Sequence, residues 1–263
     1  MQIQRTCSLP ESLKNINREP YEKFMTWSIL ARDEDGSFGV AIASRFFAVG
    51  SLCVHTRSQV GAVSTQALMN PFYGPTGLAA LAAGSSAAEA VSALTYADAA
   101  RDHRQLHMLS ASGKGAAHTG AACIDWCGHA VYDNFSVAGN MLVGPQVIEA
   151  TAQAFAATKG QALAERLIAA MGAGEAAGGD KRGKQAAALR IHGREDYPLL
   201  DLRVDDHVEP IAELRRLHAK SLERYQPFLA CLPKRDDPVG LTDRGEIEAR
   251  ITRFQDFRRQ DTP

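Results

Sequence analysis

TWSILARDEDGSFGVAIASR, residues 26–45, reads as two strands joined by a tight acidic turn. TWSILAR and SFGVAIAS are rich in β-branched, aromatic and small apolar residues, and Asp33-Glu34-Asp35-Gly36 separates them. Gly36 supplies the positive φ that such a hairpin requires. Neither strand alternates cleanly between apolar and polar positions, so both faces of their sheet are expected to be covered.

Working outward, AVGSLCV and QVGAVSTQA suggest a second hairpin with His55-Thr56-Arg57-Ser58 between its strands. A helix over 77–83 follows, and then a second that opens on Ser86-Ala87-Ala88-Glu89, a capping-box pattern. RQLHMLSA, GAAHTGAA and a segment near VYDNFSVA read as strands. Pro145 suits a first helical residue before QVIEATAQAFAA, and QALAERLIAAM forms another helix ending in the glycine-rich stretch GAGEAAGGDKRGK. QAAALRIH and PLLDLRV are two more strands, and a helical segment starts at Pro210. Strand blocks alternating with helix pairs do not suit a doubly wound sheet, where a helix follows each strand. They predict an α+β chain with two central sheets and a helical layer outside each, an αββα sandwich. The expected division is a polar extension over 1–24, the main domain over 25–208 and a helical tail over 209–263.

Bulk properties exclude several classes. The chain has 263 residues, 45% hydrophobic, enough for one large core. A formal net charge of -1 argues against a general nucleic-acid binder. No apolar run is long enough to span a membrane. The first 24 residues lack the apolar core of a secretory signal, so a cytoplasmic location is expected. Five cysteines, an odd number, fit reduced thiols better than a disulfide framework. In IAELRRLHAKSLERY, Leu214, Leu217, Leu222 and Tyr225 lie on or near one helix face. That stripe suits either a packed tail or the contact of a homodimer or higher homo-oligomer.

Thr26 begins a strand directly after Met25. If its nitrogen becomes a free amine, with an ordinary pKa of roughly 7.7–8.0, hydroxyl nucleophile and base reside in one residue. Initiation at Met25 and loss of that methionine would expose it. The alternative is a plain β-branched strand residue. Ser44-Arg45 ends the second strand and Arg57 lies in the next turn, so each is a candidate to supply a hydroxyl or positive charge near Thr26. Solvated turn residues or structural ion pairs are the rival reading. Gln66, Asn70 and Tyr73 follow an apolar strand and could orient an amide substrate, unless Asn70-Pro71 is only a turn. Asp180 and Arg182 sit on the glycine-rich stretch, where an Asp could position an ammonium or pair with the Arg. That stretch lacks Walker spacing and leads into a strand, so it is no phosphate loop. His118, Cys123, Cys127 and His129 are zinc-competent side chains at a spacing too compressed for a finger. Asp201, Arg203, Asp205, Asp206 and His207 could form a metal or salt-bridge site, with capping of the next helix the simpler role. No metal or other cofactor is called for.

Together TWSILARD, GVAIASRFFAVG, VSTQALMNPFYGPTGL, AAHTGAACIDW, AGNMLVG, AGGDKRGKQAAAL and DLRVDDH resemble the bacterial family known as domain of unknown function 1028. The likeness spans about residues 25–217 and implies an N-terminal-nucleophile (Ntn) hydrolase-like fold without implying a substrate. A fainter similarity is to proteasome-type β-subunits, in which an N-terminal Thr is the nucleophile, as Thr26 would be. Ala43-Ser44-Arg45 is similar to their Asp-Ser-Arg phrase, with Ala43 in place of the acid. Arg57 stands where their Lys does, and Asp180 is similar to a late Asp. The expected activity is that of an amidohydrolase of small amides or short peptides, with Thr26 attacking the carbonyl and Ser44, Arg57 and Asp180 as the further catalytic candidates that would tune its amine. Arg45, Gln66, Asn70, Tyr73, Asn140 and Arg182 would position substrate, the arginines favouring an anionic one. A non-catalytic ligand-binding or assembly protein on the same fold is the alternative, and a metal-dependent hydrolase built on the His/Cys or Asp/His clusters is a third.

Overall fold

A computed structural model describes residues 26–179 and 183–260. β1 (Thr26–Arg32) and β2 (Phe38–Ser44) form the expected hairpin, with Gly36 at φ +85° in the turn. A one-turn helix α1 (Gly50–Cys53) precedes β3 (Val54–Arg57), which pairs with β4 (Gly61–Ala67). AVGSLCV is therefore not one strand. Ala48 takes a left-handed φ of +52°, and a Cβ on Gly50 would fall 2.3 Å from the Ala188 Cβ, so the glycine lets α1 lie directly on the sheet.

α2 (Tyr73–Ala82) and α3 (Ala87–Ala97) follow, the latter opened by the Ser86–Glu89 capping box. β5 (Arg104–Ser110) and β6 (Gly115–Thr119) come next. The stretch near VYDNFSVA is a hairpin of its own, β7 (Trp126–Tyr132) with β8 (Phe135–Leu142). Its turn contains no glycine. Asn134 supplies the positive φ of +66°, which Asn tolerates better than most residues. α4 (Gln146–Ala157) and α5 (Leu163–Ala176) pack together, and α5 runs on through GAGEA. Gly174 explains that extension, because a Cβ there would lie 2.3 Å from Thr151 Oγ1 on α4. β9 (Ala186–His192) and β10 (Pro198–Val204) complete the strands, and α6 (Pro210–Ser221), α7 (Tyr225–Leu229) and α8 (Arg244–Gln260) follow.

The strands form a six-stranded sheet, β10-β9-β2-β1-β8-β7, and a four-stranded one, β3-β4-β5-β6. Every pairing is antiparallel. Side-chain parity sorts the core into layers. Trp27, Ile29 and Ala31 leave the larger sheet on its outer face and pack with Val147, Phe155, Leu167, Met171, Ile211 and Leu214 of α4, α5 and α6. Leu30, Val40 and Ile42 point the other way and meet Ala62 and Leu109 of the smaller sheet. Val63, Leu106 and Met108 leave that sheet outward against Leu78, Leu81 and Val91 of α2 and α3. The result is an αββα sandwich. Since α6 buries Ile211 and Leu214 in the outer layer, the helical segment from Pro210 begins as part of the sandwich rather than as a tail, while α7 and α8 pack on each other. No helix among the described residues is long and apolar enough to cross a membrane.

Candidate active site

Thr26, Ser28, Leu30 and Arg32 share the face of β1 that looks into the layer between the sheets, and Thr26 forms one end of that row. Register places Ser44 of β2 on one side of Thr26 and Asn140 of β8 on the other. Thr26 Oγ1 lies 3.1 Å from Ser44 Oγ, and Ser44 Oγ also accepts the Phe46 N–H at 3.0 Å. Ser44 O accepts from the Gln185 N–H, which ties the start of β9 to the same edge. Thr26 is 4% exposed and Asn140 2%. Beside this edge a cleft of about 670 Å³ is lined by Arg45, Lys184, Gln185, Asp206 and His207. Lys184 pairs there with Glu175 and Glu209, and Gln185 Nε2 donates to Asp206.

The layer behind Thr26 holds a polar network that the sequence reading did not anticipate, with Ser28, Gln66, Gln105, His107 and Ser136 all fully buried. Gln105 Nε2 lies 2.9 Å from Gly139 O, 3.0 Å from Gly128 O and 2.9 Å from Thr119 Oγ1. Two backbone carbonyls can only accept, so the amide nitrogen must face them, and Gln105 Oε1 must then accept from Gln66 Nε2 at 2.6 Å. Gln66 Oε1 in turn accepts the Ser28 hydroxyl at 2.7 Å. Ser28 Oγ has given its proton away, so His107 Nε2–H donates to it at 2.8 Å. His107 Nδ1 is left to accept from Ser136 O–H at 2.9 Å. The two carbonyls thus fix the whole order of protons and hold His107 as the neutral Nε2–H tautomer. Burial, followed by the field of His129, pushes the His107 pKa down to about 3.

Gln105→Leu is expected to cost about 3–5 kcal/mol, because it strands the Gly128 and Gly139 carbonyls and the Gln66 amide in a dry layer. Urea unfolding checks this, and a loss below about 1 kcal/mol would mean that those groups find other partners. The available sequence signal was parity: Gln105 and His107 sit at i and i+2 among the apolar Leu106, Met108 and Leu109, both pointing inward.

The structure separates the remaining sequence candidates. Gln66 is 0% exposed and belongs to the network, where no substrate reaches it without disrupting the layer. Asn70 and Tyr73 converge instead on Asp98: Asn70 Nδ2 donates at 3.1 Å, Tyr73 Oη at 2.8 Å and Arg104 Nε at 3.2 Å. Burial pushes the Asp98 carboxyl up, but the Ala100 N–H and the Tyr73, Asn70 and Arg104 donors outweigh it and hold the pKa at about 2. That carboxylate locks the β4–α2 loop to the α3–β5 corner, which accounts for both residues structurally. Arg57 lies at the opposite end of the sandwich. Its neighbour Thr56 bonds His192 at 2.7 Å, and His192 pairs with Phe38, six residues along β2 from Ser44. That is about 20 Å from Thr26, too far to tune its amine. Arg45 is exposed on the cleft wall, close to the edge as expected. Asp180 and Arg182 lie outside the described residues. His118 bonds Arg101 O, His129 bonds Thr119 Oγ1, and Cys123 and Cys127 face backbone carbonyls. Among the described residues no three His, Cys, Asp or Glu side chains group as metal ligands do.

Fold and register define an α+β protein built as a four-layer αββα sandwich. The chain belongs to the DUF1028 family, described as a family of unknown function, whose model matches residues 26–214. It is similar to a crystallised DUF1028 protein of Silicibacter pomeroyi, with 31% identity and a TM-score of 0.77 over 83% of this chain and 100% of that one. A weaker likeness is to Anbu, an ancestral β-subunit from Yersinia bercovieri, with 10% identity and a TM-score of 0.36 over 79% of this chain and 98% of that one. No curated protein matches the chain.

Proposed function

We propose that the protein is an N-terminal-nucleophile amidohydrolase of small amides or short peptides, with Thr26 as nucleophile once its amine is free. The observation that carries this reading is the Thr26–Ser44 hydroxyl pair, 3.1 Å apart at the end of the inter-sheet layer and beside a cleft. In the first step Thr26 Oγ forms a bond to the amide carbonyl carbon, and its proton passes to the α-amine. The Ser44 hydroxyl stabilises the developing charge on Oγ by donating to it. Collapse of the tetrahedral centre breaks the C–N bond, and the α-ammonium returns the proton to the departing amine. Water then hydrolyses the Thr26 ester with the α-amine as base. Arg45 on the cleft wall favours an anionic substrate group. Asn140, opposite Thr26 in register, is the remaining candidate to orient the amide.

A second reading, a ligand-binding or assembly protein that does no chemistry, draws on the low exposure of Thr26, 4%. A peptide epoxyketone distinguishes them, because it closes a ring on an N-terminal threonine only by using both its hydroxyl and its amine. Protein whose first residue is verified as Thr26 should gain one probe mass, located on Thr26 by fragmentation. Unmodified Thr26 after prolonged exposure would sink the catalytic reading.

A further inference from the structure

The opposite end of the sandwich, about 20 Å from Thr26, carries two clefts of about 560 and 360 Å³ among the hairpin turns. Arg32 and Asp35 line both of them. Most other charges there are already matched. Asp33 pairs with Arg166 at 3.1 Å, Glu34 with Lys159 at 3.4 Å and Asp133 with Lys114 at 2.6 Å. Arg194 in the smaller cleft pairs with Asp236 at 3.0 Å. Among the described residues, Arg32 has no ion-pair or side-chain hydrogen-bond partner, and Asp35 has no cationic one.

Both are held in position by the hairpin. Arg32 ends β1 on the inter-sheet face and is only partly exposed, with Nη2 3.8 Å from where a Gly36 Cβ would stand. Asp35 receives the Ser37 N–H on Oδ1 at 2.8 Å and the Ser37 O–H on Oδ2 at 2.9 Å, leaving acceptor capacity on each oxygen. One wall is apolar and fixed: Phe155 packs on Phe135 at 5.0 Å and lies beneath the Arg166 guanidinium at 4.0 Å.

We infer that this end of the molecule binds the zwitterionic end groups of a free amino acid or short peptide, its carboxylate on Arg32 and its ammonium on Asp35. A guanidinium fork with open donors suits a carboxylate. A simple anion on Arg32 would meet the nearby Asp35 charge, and a simple cation on Asp35 would meet Arg32. A molecule carrying both charges satisfies both residues, with its carbon body against the Phe135 wall. The inference does not depend on Thr26 chemistry.

Calorimetry on the full chain at neutral pH tests it with L-alanine and L-alanyl-L-alanine, and with two blocked controls, N-acetyl-L-alanine and L-alaninamide. At least one zwitterion should bind, and both blocked compounds should bind at least about ten-fold more weakly. Which zwitterion binds distinguishes a free amino acid from a peptide as the ligand. Arg32→Gln and Asp35→Asn should each weaken binding about ten-fold or more without moving the thermal midpoint, and Arg32→Lys should recover part of it. The inference is overturned if neither zwitterion binds at about 10 mM, if a blocked compound binds as tightly, or if either neutralising variant keeps the affinity of the parent.

Discussion

Thr26→Ala is expected to abolish epoxyketone labelling and any amide turnover while leaving the fold intact. The substitution removes one hydroxyl and its 3.1 Å contact to Ser44, but keeps the backbone pairing of β1 to β2 and β8. Ser44 Oγ retains the Phe46 N–H, so the stability cost should stay near 1 kcal/mol. Thr26→Ser keeps an oxygen nucleophile and should label more slowly, because the lost methyl no longer restricts χ1. Ser44→Ala should slow labelling less than Thr26→Ala does, since it removes a donor to the nucleophile and not the nucleophile itself. Protein in which residue 25 is still joined to Thr26 should be inert in all these assays, because an amide nitrogen is no base. Labelling rates by intact mass, measured alongside urea midpoints, separate chemistry from folding. Labelling that survives Thr26→Ala would place the reactive group elsewhere.

How much of this was legible beforehand follows from which residues act locally. The β1–β2 hairpin could be read because Gly36 and the apolar runs around it speak for themselves. The Ser86–Glu89 box was equally local. The β7–β8 turn was missed because Asn134, not a glycine, takes the positive φ. The length of α5 was missed because Gly174 reads as a loop residue until Thr151 of α4 is seen against it. Ser44 comes beside Thr26 through the β1–β2 hairpin, which is local in the chain, whereas Asn140 comes opposite it through the β1–β8 pairing, which chain order does not reveal. Asn70 and Tyr73 looked like substrate ligands only because their partner, Asp98, lies 28 and 25 residues further on. Arg57 was assigned from its position in a turn, whereas only the stacking of the two sheets decides to which end that turn points. The Gln105–His107 network depends on the same stacking and leaves only a parity hint in its own strand.

That network should make the protein labile to mild acid. His107 titrates at about 3 in the fold, well below the value of about 6.5 for an exposed histidine, because burial opposes its charged form. The unfolded chain therefore takes up the proton first as pH falls. The stability that neutral His107 contributes is complete above about pH 6.5 and is lost progressively as pH drops towards 3, amounting to roughly 3 kcal/mol by pH 4. Asp98 acts in a lower window. Its folded pKa of about 2 lies below the unfolded value of about 3.9, so its contribution is present above pH 4 and disappears between there and pH 2. His55, His129, His192 and His218 are also shifted down, chiefly by burial, and add slope of the same sign as pH falls below about 6.5. A substitution at His107 isolates its share. Glutamine can donate to Ser28 and accept from Ser136 as the neutral imidazole does, yet cannot titrate. Urea unfolding at pH 7, 5.5 and 4 should show His107→Gln losing less stability than the parent across that range, by up to one proton's worth of slope. Identical losses in the two proteins would mean that His107 takes up its proton inside the fold, and that the hydroxyls of Ser28 and Ser136 turn to accommodate it.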